Sequence, residues 1–474
     1  MNRRSLTILA GVGLLIAATC GAMSLTGRGN PDGGGRADVI PAGRGTVSLQ
    51  GRLVQDKVVV GGAGTVDLEL ILAAGEMESI SASGTTSADL VLVLDRSGSM
   101  SGDKIAAVRQ ATRELVSRMT ATDRVALVTY SDGISVESNL VPVTRENRSL
   151  LHTAVSRITS GGGTNLGAGL QAGIRLITAA GETGNVKKLI LISDGLANKG
   201  ITDPNMLADL AAAATDRTVA VCTAGGGQDF NEQLMTRIAD RGAGRYYYLD
   251  GPGHFAEVFE AELDRTRTVA ASGMRIHVTL PPGVQLVEAS GYPVTVKDGS
   301  AEIQTGDLLA GQVRSLYLKF KLPTDSERTV DLGGIYASFQ RDNQPGVTRL
   351  DQTFRIACVT DRAEVTASID PAAWEKKVLQ DDFNRLKEEL AQDIKNGRRE
   401  AALGRITRYR ADQSSVNTVM KSSRVAENLE NDLDGLTSLV HETFAGAPQA
   451  VAEKKKKASK ALQYDGYRER RAKQ

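Results

Sequence analysis

The chain has 474 residues, which is too long for one ordinary domain, so two to four domains are expected. Its apolar content of 41% and charged content of 24% are ordinary for a soluble globular protein. Lys and Arg total 57 against 56 Asp and Glu, and aromatic residues make up 4%, so no interaction with nucleic acid is indicated.

The first 24 residues have the pattern of an export segment. Arginines precede an apolar run over residues 6–23, as in a secretory signal peptide or a membrane anchor. Cys20 lies near the end of this run, so a lipoprotein stays open as an alternative, although Thr19 departs from the usual lipobox. Every version predicts that the body of the protein is exported to the periplasm or cell envelope. The membrane is a predicted partner through the N-terminal segment, where this segment is retained as an anchor or Cys20 is lipidated.

Two segments with strand periodicity flank the middle of the chain. Residues 25–45 are rich in Gly and are predicted to be a flexible linker. Residues 46–84 then alternate apolar and polar side chains, but their three predicted strands cannot close a domain. Residues 268–365 return to the same period of two. We therefore predict that these segments are the first and second parts of one antiparallel β-sandwich.

The intervening residues, 85–267, alternate strand and helix patterns. Apolar runs that are typical of buried strands lie at 90–94, 125–130, 189–193, 218–223 and 246–249. The segments between them have apolar residues at helical spacing. This alternation predicts an α/β domain with a doubly wound, mostly parallel sheet, inserted in the sandwich.

Oxygen-bearing side chains lie at the ends of two of these strands and on one loop. Asp95 ends the first run, and Ser97 and Ser99 follow it on a turn. Thr164 lies on a glycine-rich loop before a helix pattern, and Asp194 ends another apolar run. Open α/β sheets place their ligand sites at the carboxyl ends of strands. Carboxylate and hydroxyl oxygens suit a hard cation, Mg²⁺ before Zn²⁺.

Together, Asp95, Ser97, Ser99, Thr164 and Asp194 resemble the metal-ion-dependent adhesion site of the von Willebrand factor A (VWA) family. The resemblance implies that the three hydroxyls bind the cation directly, and that the two carboxylates bind it directly or through water. The implied cofactor is Mg²⁺, with Mn²⁺ or Ca²⁺ as alternatives. The insertion of such a domain in a sandwich is similar to that in the integrin β subunit.

The resemblance also implies a function, which is adhesion or assembly at the cell envelope rather than catalysis. In the family, a carboxylate from a protein partner completes the coordination of the cation, so the implied partner bears an exposed Asp or Glu. The loops at 132–133, 161–164, 196–200 and 225–229 would form the rim of the site.

Two other functions stay open on the sequence. A hydrolytic enzyme could use the same metal site, but no His lies in the loops that carry the motif. A VWA subunit that works with an ATPase is disfavoured by the export segment. The GxGxxA match at 167–172 follows a loop rather than a strand, so it does not support dinucleotide binding.

The remaining cysteines, Cys222 and Cys358, lie in strand patterns of different predicted domains. We therefore expect two buried thiols without a disulfide. The chain has no CxxC pair and four widely spread His, so no zinc site is indicated.

The C-terminal part of the chain changes to helical periodicity. Residues 366–446 are predicted to be a helical region, with Asp370 as a cap and Pro371 in the first turn. Residues 447–474 are rich in Lys and Arg and are predicted to be a solvated basic tail, which could contact anionic lipid.

Overall fold

The computed structural model describes residues 47–76, 86–181, 183–226, 230–249, 251, 253–341 and 344–471. The predicted export segment and linker, residues 1–45, lie outside this set. Every helix in the described set is too short or too polar to cross a bilayer.

The central α/β domain is built on a six-stranded sheet. Three strands of the described residues precede it, namely β1 (Val47–Leu53), β2 (Lys57–Val59) and β3 (Thr65–Ala74). The strands of the sheet itself are β4 (Ala88–Asp95), β5 (Arg124–Tyr130), β6 (Ile134–Pro142), β7 (Val186–Ser193), β8 (Val219–Gly226) and β9 (Ala243–Leu249). The order in the sheet is β6-β5-β4-β7-β8-β9, and all pairs are parallel except β5 with β6.

Helices cover both faces of this sheet. They are α1 (Asp103–Arg118), α2 (Arg145–Ser156), α3 (Leu166–Ala179), α4 (Pro204–Thr215), α5 (Glu232–Arg241) and α6 (His254–Arg267). In β4, Leu90 and Leu92 belong to the core with α1, α2 and α6, whereas Val91 and Val93 belong to the core with α3, α4 and α5. Since successive side chains of a strand point to opposite faces, a strand buried on both faces needs a continuous apolar run.

The sandwich takes strands from both sides of the α/β domain. The later strands are β10 (Val269–Thr279), β11 (Gln285–Ala289), β12 (Val294–Lys297), β13 (Ser300–Leu309), β14 (Val313–Lys321), β15 (Arg328–Asp331), β16 (Ile335–Arg341), β17 (Gln344–Arg349) and β18 (Arg355–Val359). One sheet has the order β1-β3-β14-β11 and the other β12-β13-β10-β16-β17. Antiparallel β3 and β14 place Leu70 opposite Leu316, so the early and late segments share a sheet.

The two segments that connect the α/β domain to the sandwich are both hydrogen-bonded to the turn between β13 and β14. The Gly311 N–H donates to the Gly75 carbonyl at 3.2 Å, and the Ala310 N–H donates to the Thr268 carbonyl at 2.8 Å. A small third sheet, β15-β18-β2, departs from the antiparallel pattern because β2 runs parallel to β18. The predicted fold class is confirmed: a doubly wound α/β domain accompanies antiparallel sheets and a C-terminal helical region.

The helical region continues from the sandwich. Its helices are α7 (Arg362–Ala367), α8 (Pro371–Lys377), α9 (Phe383–Lys395), α10 (Arg399–Met420), α11 (Ser423–Glu427), α12 (Leu433–Thr443) and α13 (Pro448–Arg470), with π-helical turns at Val378–Asp382 and Asn428–Asp432. Asp370 caps α8 as predicted, accepting hydrogen bonds from the backbone of residues 372 and 373. The helical core includes Val54 and Tyr317, so the region packs on the sandwich.

The expectation of a solvated basic tail over residues 447–474 is wrong for its described part. Residues 448–470 form α13, which packs along α9. Arg470 and Arg471 are each 5% exposed. Arg470 Nε donates to Asp381 at 3.0 Å, and Arg471 Nη1 donates to Glu388 at 2.7 Å. Acidic side chains of the neighbouring helix pair with this positive charge, which is why these residues are buried rather than solvated.

Candidate functional site

Asp95, the first residue of the sequence motif, is the last residue of β4 and is fully buried. Its Oδ1 accepts a hydrogen bond from the Ser97 N–H at 2.8 Å, and its Oδ2 accepts one from the Ser193 hydroxyl at 2.8 Å. Burial raises the pKa of Asp95 above its ordinary value, and the hydrogen bonds from Ser97 and Ser193 partly oppose this shift. The carboxylate is therefore held in one orientation at the carboxyl end of the strand.

The turn after β4 brings two hydroxyls to the second carboxylate. A single 3₁₀ turn over Gly98–Met100 places the Ser97 and Ser99 hydroxyl oxygens 3.0 Å apart. The Ser99 hydroxyl donates to Asp194 Oδ1 at 2.7 Å, so hydrogen bonds connect the ends of β4 and β7. Asp95, Ser97 and Asp194 are buried, whereas Ser99 is exposed, so the cluster meets solvent on the Ser99 side.

Thr164 enters the same cluster from the glycine-rich loop. The loop is fastened to the first turn because the Gly98 N–H donates to the Gly162 carbonyl at 3.0 Å. A Cβ on Gly195 would lie 3.4 Å from Ser99 Oγ and 3.5 Å from Thr164 Oγ1. Both hydroxyls thus border the same small space beside Gly195. The structure therefore brings all five predicted residues together.

One residue of the cluster was missed by sequence reasoning. Lys104, in the first turn of α1, forms an ion pair with Asp194 Oδ2 and donates to the Ser99 carbonyl at 3.2 Å. Lysine is not an oxygen ligand, so the search for metal ligands in the sequence did not consider it. Its position in the sequence is the available signal, because Lys104 lies in the first turn of the helix that directly follows the motif.

The predicted rim loops contact one another around the cluster. Asp132 accepts a hydrogen bond from the Gly163 N–H at 2.8 Å and pairs with Lys199. The hydrogen bond from Lys199 lowers the pKa of Asp132 below its ordinary value, with a further contribution from Gly163. The Asn198 side chain accepts a hydrogen bond from the Thr164 N–H at 2.9 Å. The fourth predicted loop falls partly outside the described residues.

The donor set fits a hard cation. Two carboxylates and three hydroxyls are oxygen donors of the kind that Mg²⁺ and Ca²⁺ accept. In the described part of the chain, no group of three or more His, Cys, Asp or Glu side chains is arranged to hold a metal ion. A cation at this cluster would therefore depend on hydroxyl ligands as well as carboxylates.

The chain is similar to known proteins over part of its length. Residues 89–261 match the family model of the von Willebrand factor type A domain. The uncharacterized protein YfbK of Escherichia coli is 27% identical over 247 residues, which are 51% of this chain and 42% of that protein. An uncharacterized protein of Synechocystis is 28% identical over 246 residues, which are 49% of this chain and 57% of that protein. The chain thus spans about half the length of these curated relatives.

A solved structure extends the similarity beyond the α/β domain. The von Willebrand factor type A structure from Catenulispora acidiphila has a TM-score of 0.66 at 16% identity, covering 89% of this chain and 96% of that chain. The similarity in fold therefore extends beyond the α/β domain. Residues 89–261 form a VWA domain, a class of domain that commonly mediates protein–protein interaction and typically binds a divalent cation.

Proposed function

We propose that this protein is a metal-dependent binding module of the cell envelope, which captures an acidic side chain of a partner protein. The observation that carries the proposal is the convergence of Asp95, Ser97, Ser99, Thr164 and Asp194 at the carboxyl ends of β4 and β7. Mg²⁺, with Mn²⁺ or Ca²⁺ as alternatives, is the proposed cation. The export pattern of residues 1–24 supports the envelope location.

The chemistry of the donors explains why a partner would contribute a carboxylate. Hydroxyls bind a cation without neutralising it, so a cation held largely by Ser97, Ser99 and Thr164 keeps attraction for an anion. Mg²⁺ favours six oxygen ligands and keeps waters that an incoming ligand can displace. Because Ser99 is exposed, an Asp or Glu side chain from outside can reach the cluster from that side. Such a charge contact at the centre of an interface anchors the partner strongly.

The first experiment measures the cation alone. Calorimetric titration of the full chain with Mg²⁺ or Mn²⁺ should show one site, and Asp95→Ala should abolish it because the variant lacks the carboxylate that orders the turn. Asp216→Asn is the matched control, since this carboxylate is 72% exposed and lies before β8, at the other end of the strands. Undiminished binding in Asp95→Ala would refute the site.

The second experiment measures partner binding. Envelope extract is passed over the immobilised chain with Mg²⁺, with chelator, and over Thr164→Ala. We expect the chain to retain a protein in the presence of Mg²⁺, and this binding to be lost with chelator and with Thr164→Ala. Replacing the candidate Asp or Glu of the retained protein should also abolish binding. Binding that persists through chelator and Thr164→Ala would mean that the domain uses another surface.

A further inference from the structure

The ammonium group of Lys104 lies inside the cluster that the proposed function assigns to a cation. Its Nζ pairs with Asp194 Oδ2 and donates to the Ser99 carbonyl at 3.2 Å. The Asp194 side chain is 1% exposed, whereas that of Lys104 is 36% exposed. A largely buried carboxylate is thus paired with a cation whose stem reaches solvent.

The hydrogen bonds of the two carboxylates show which oxygen the lysine occupies. Both oxygens of Asp95 accept from uncharged donors, namely the Ser97 N–H and the Ser193 hydroxyl. Asp194 Oδ1 accepts from the Ser99 hydroxyl. Of these four carboxylate oxygens, it is Asp194 Oδ2 that pairs with the ammonium group of Lys104. A metal ion that binds this oxygen directly would therefore have to displace the ammonium.

We infer that Lys104 is a tethered counter-ion that competes with the divalent cation for Asp194 and so sets the cation affinity of the site. This inference rests on the proposed function. When the site is without a divalent cation, Lys104 compensates the buried charge of Asp194, which would otherwise be costly. When the cation binds, the half-exposed side chain moves into solvent, as a flexible four-carbon stem allows. The ammonium then no longer repels the ion.

The role of Lys104 as a competitor differs from a purely structural role in one measurable respect. A competitor stabilises the protein when divalent cation is removed and opposes cation binding when it is supplied. A structural lysine would stabilise the protein equally in both conditions. Stability and affinity measured on one variant, with and without Mg²⁺, therefore separate the two roles.

The experiment uses the full chain, with Mg²⁺ as the only ligand, and Lys104→Met, which keeps an unbranched apolar stem. Calorimetry should show that Lys104→Met binds Mg²⁺ on the order of tenfold more tightly than the unmodified chain, because a like charge beside the ion has been removed. Thermal unfolding in chelator should begin at lower temperature in the variant. The deficit should shrink or reverse in saturating Mg²⁺.

Two further variants serve as controls. Lys104→Arg keeps the positive charge and should bind Mg²⁺ with an affinity close to that of the unmodified chain. Lys297→Met removes the same charge from an exposed position of β12 in the sandwich, outside the site, and should leave the Mg²⁺ affinity nearly unchanged. If Lys297→Met binds Mg²⁺ more tightly as well, the overall charge of the protein, not Lys104, controls the affinity.

The outcomes distinguish this inference from the proposed function. If the unmodified chain binds Mg²⁺ and Lys104→Met binds it equally or more weakly, the inference is overturned and the metal site stands. Equal thermal destabilisation with and without Mg²⁺ also overturns it. Tighter binding in Lys104→Met, or binding that only this variant shows, supports both. If neither protein binds Mg²⁺ or Mn²⁺, the proposed metal site fails and the inference fails with it.

Discussion

At the scale of single residues, two buried tyrosines of the VWA sheet differ in whether the hydroxyl is hydrogen-bonded. Tyr130 lies beside Asp95 in the register of β4 and β5, and its hydroxyl donates to the Ile192 carbonyl at 2.7 Å. Tyr246 is 2% exposed, and its hydroxyl has no hydrogen-bond partner among the described residues. A buried hydroxyl stabilises the fold only if it is paired, so these residues form a natural comparison.

Removing the two hydroxyls should therefore change stability in different directions. Tyr130→Phe should lower the free energy of unfolding by about 1–2 kcal/mol, because the bond to Ile192 is lost in the interior. Tyr246→Phe should leave it unchanged or raise it slightly, because an unpaired buried hydroxyl is removed. Urea denaturation of both variants measures the difference. Equal losses would show that the hydrogen bond of Tyr130 contributes nothing particular.

The sequence predicts the cluster well where ligand chemistry and chain order coincide. Asp95 and Asp194 each end an apolar run, and a parallel sheet brings such ends to one edge. Thr164 required the resemblance to a family, since a threonine on a glycine-rich loop has no chemical signature of its own. Lys104 was not predicted, because its role depends on the distance from Nζ to a carboxylate of another strand.

At the scale of secondary-structure elements, α13 crosses α9 at a glycine. A Cβ on Gly466 would lie 2.6 Å from the carbonyl oxygen of Asn384 and 2.9 Å from Cγ of Glu388. The close approach places Tyr467, Arg470 and Arg471 in the interior. Gly435, in α12, is also helical but would have no heavy atom within 4 Å of an added Cβ.

The same substitution at these two glycines should have opposite effects. Gly435→Ala should raise the free energy of unfolding by about 0.5–1 kcal/mol, because alanine restricts the unfolded chain and favours helix. Gly466→Ala should lower it by about 1–3 kcal/mol despite the same helical preference, because the backbone of α9 cannot yield easily. Thermal or urea unfolding measures both. Stabilisation of Gly466→Ala would mean that the two helices are not in close contact.

Elements were predicted from sequence where burial imposes a clear period. The fully buried strands of the VWA sheet were found, but β6 was missed because its residues are mostly half-buried or exposed, as befits an edge strand. Helix α10 lies inside the region predicted to be helical, but its bounds have little signal in the sequence because only Ala402 and Ile406 of its 22 residues are buried. Helix α13 was interpreted as a tail because its lysines mask the few positions that pack.

At the scale of the whole molecule, a buried ion cluster lies where the VWA domain meets the sandwich. Lys188 of β7 lies 3.0 Å from Glu262 of α6 and 3.9 Å from Asp307 of β13. Burial alone would raise the pKa of Glu262, but the positive charges of Lys188 and Arg245 outweigh it and hold the pKa at about 2. The folded protein therefore keeps Glu262 ionised in acid that would protonate it in the unfolded chain.

This cluster predicts a specific acid sensitivity. A carboxyl whose pKa is lowered by folding stabilises the protein above its unfolded pKa, and this contribution is lost as pH falls from about 4.5 to about 2. Glu262→Gln should remove about 3 kcal/mol of this pH-dependent stability and flatten the acid limb of an unfolding curve. Glu257→Gln, the same change at an exposed position of α6, should leave the limb unchanged. An unaltered limb in Glu262→Gln would contradict the assignment.

The insertion of the VWA domain also affects the order in which the parts of the protein can fold during synthesis. Strand β3 ends at Ala74, and its neighbour β14 does not begin until Val313. At a synthesis rate of about 5–20 residues per second, β14 is synthesised on the order of 12–50 s after β3. Until then it has β1 alone, and an isolated hairpin is marginally stable. The VWA domain is contiguous in the chain and can fold during this interval. The domain that carries the candidate site can therefore fold before the sandwich does.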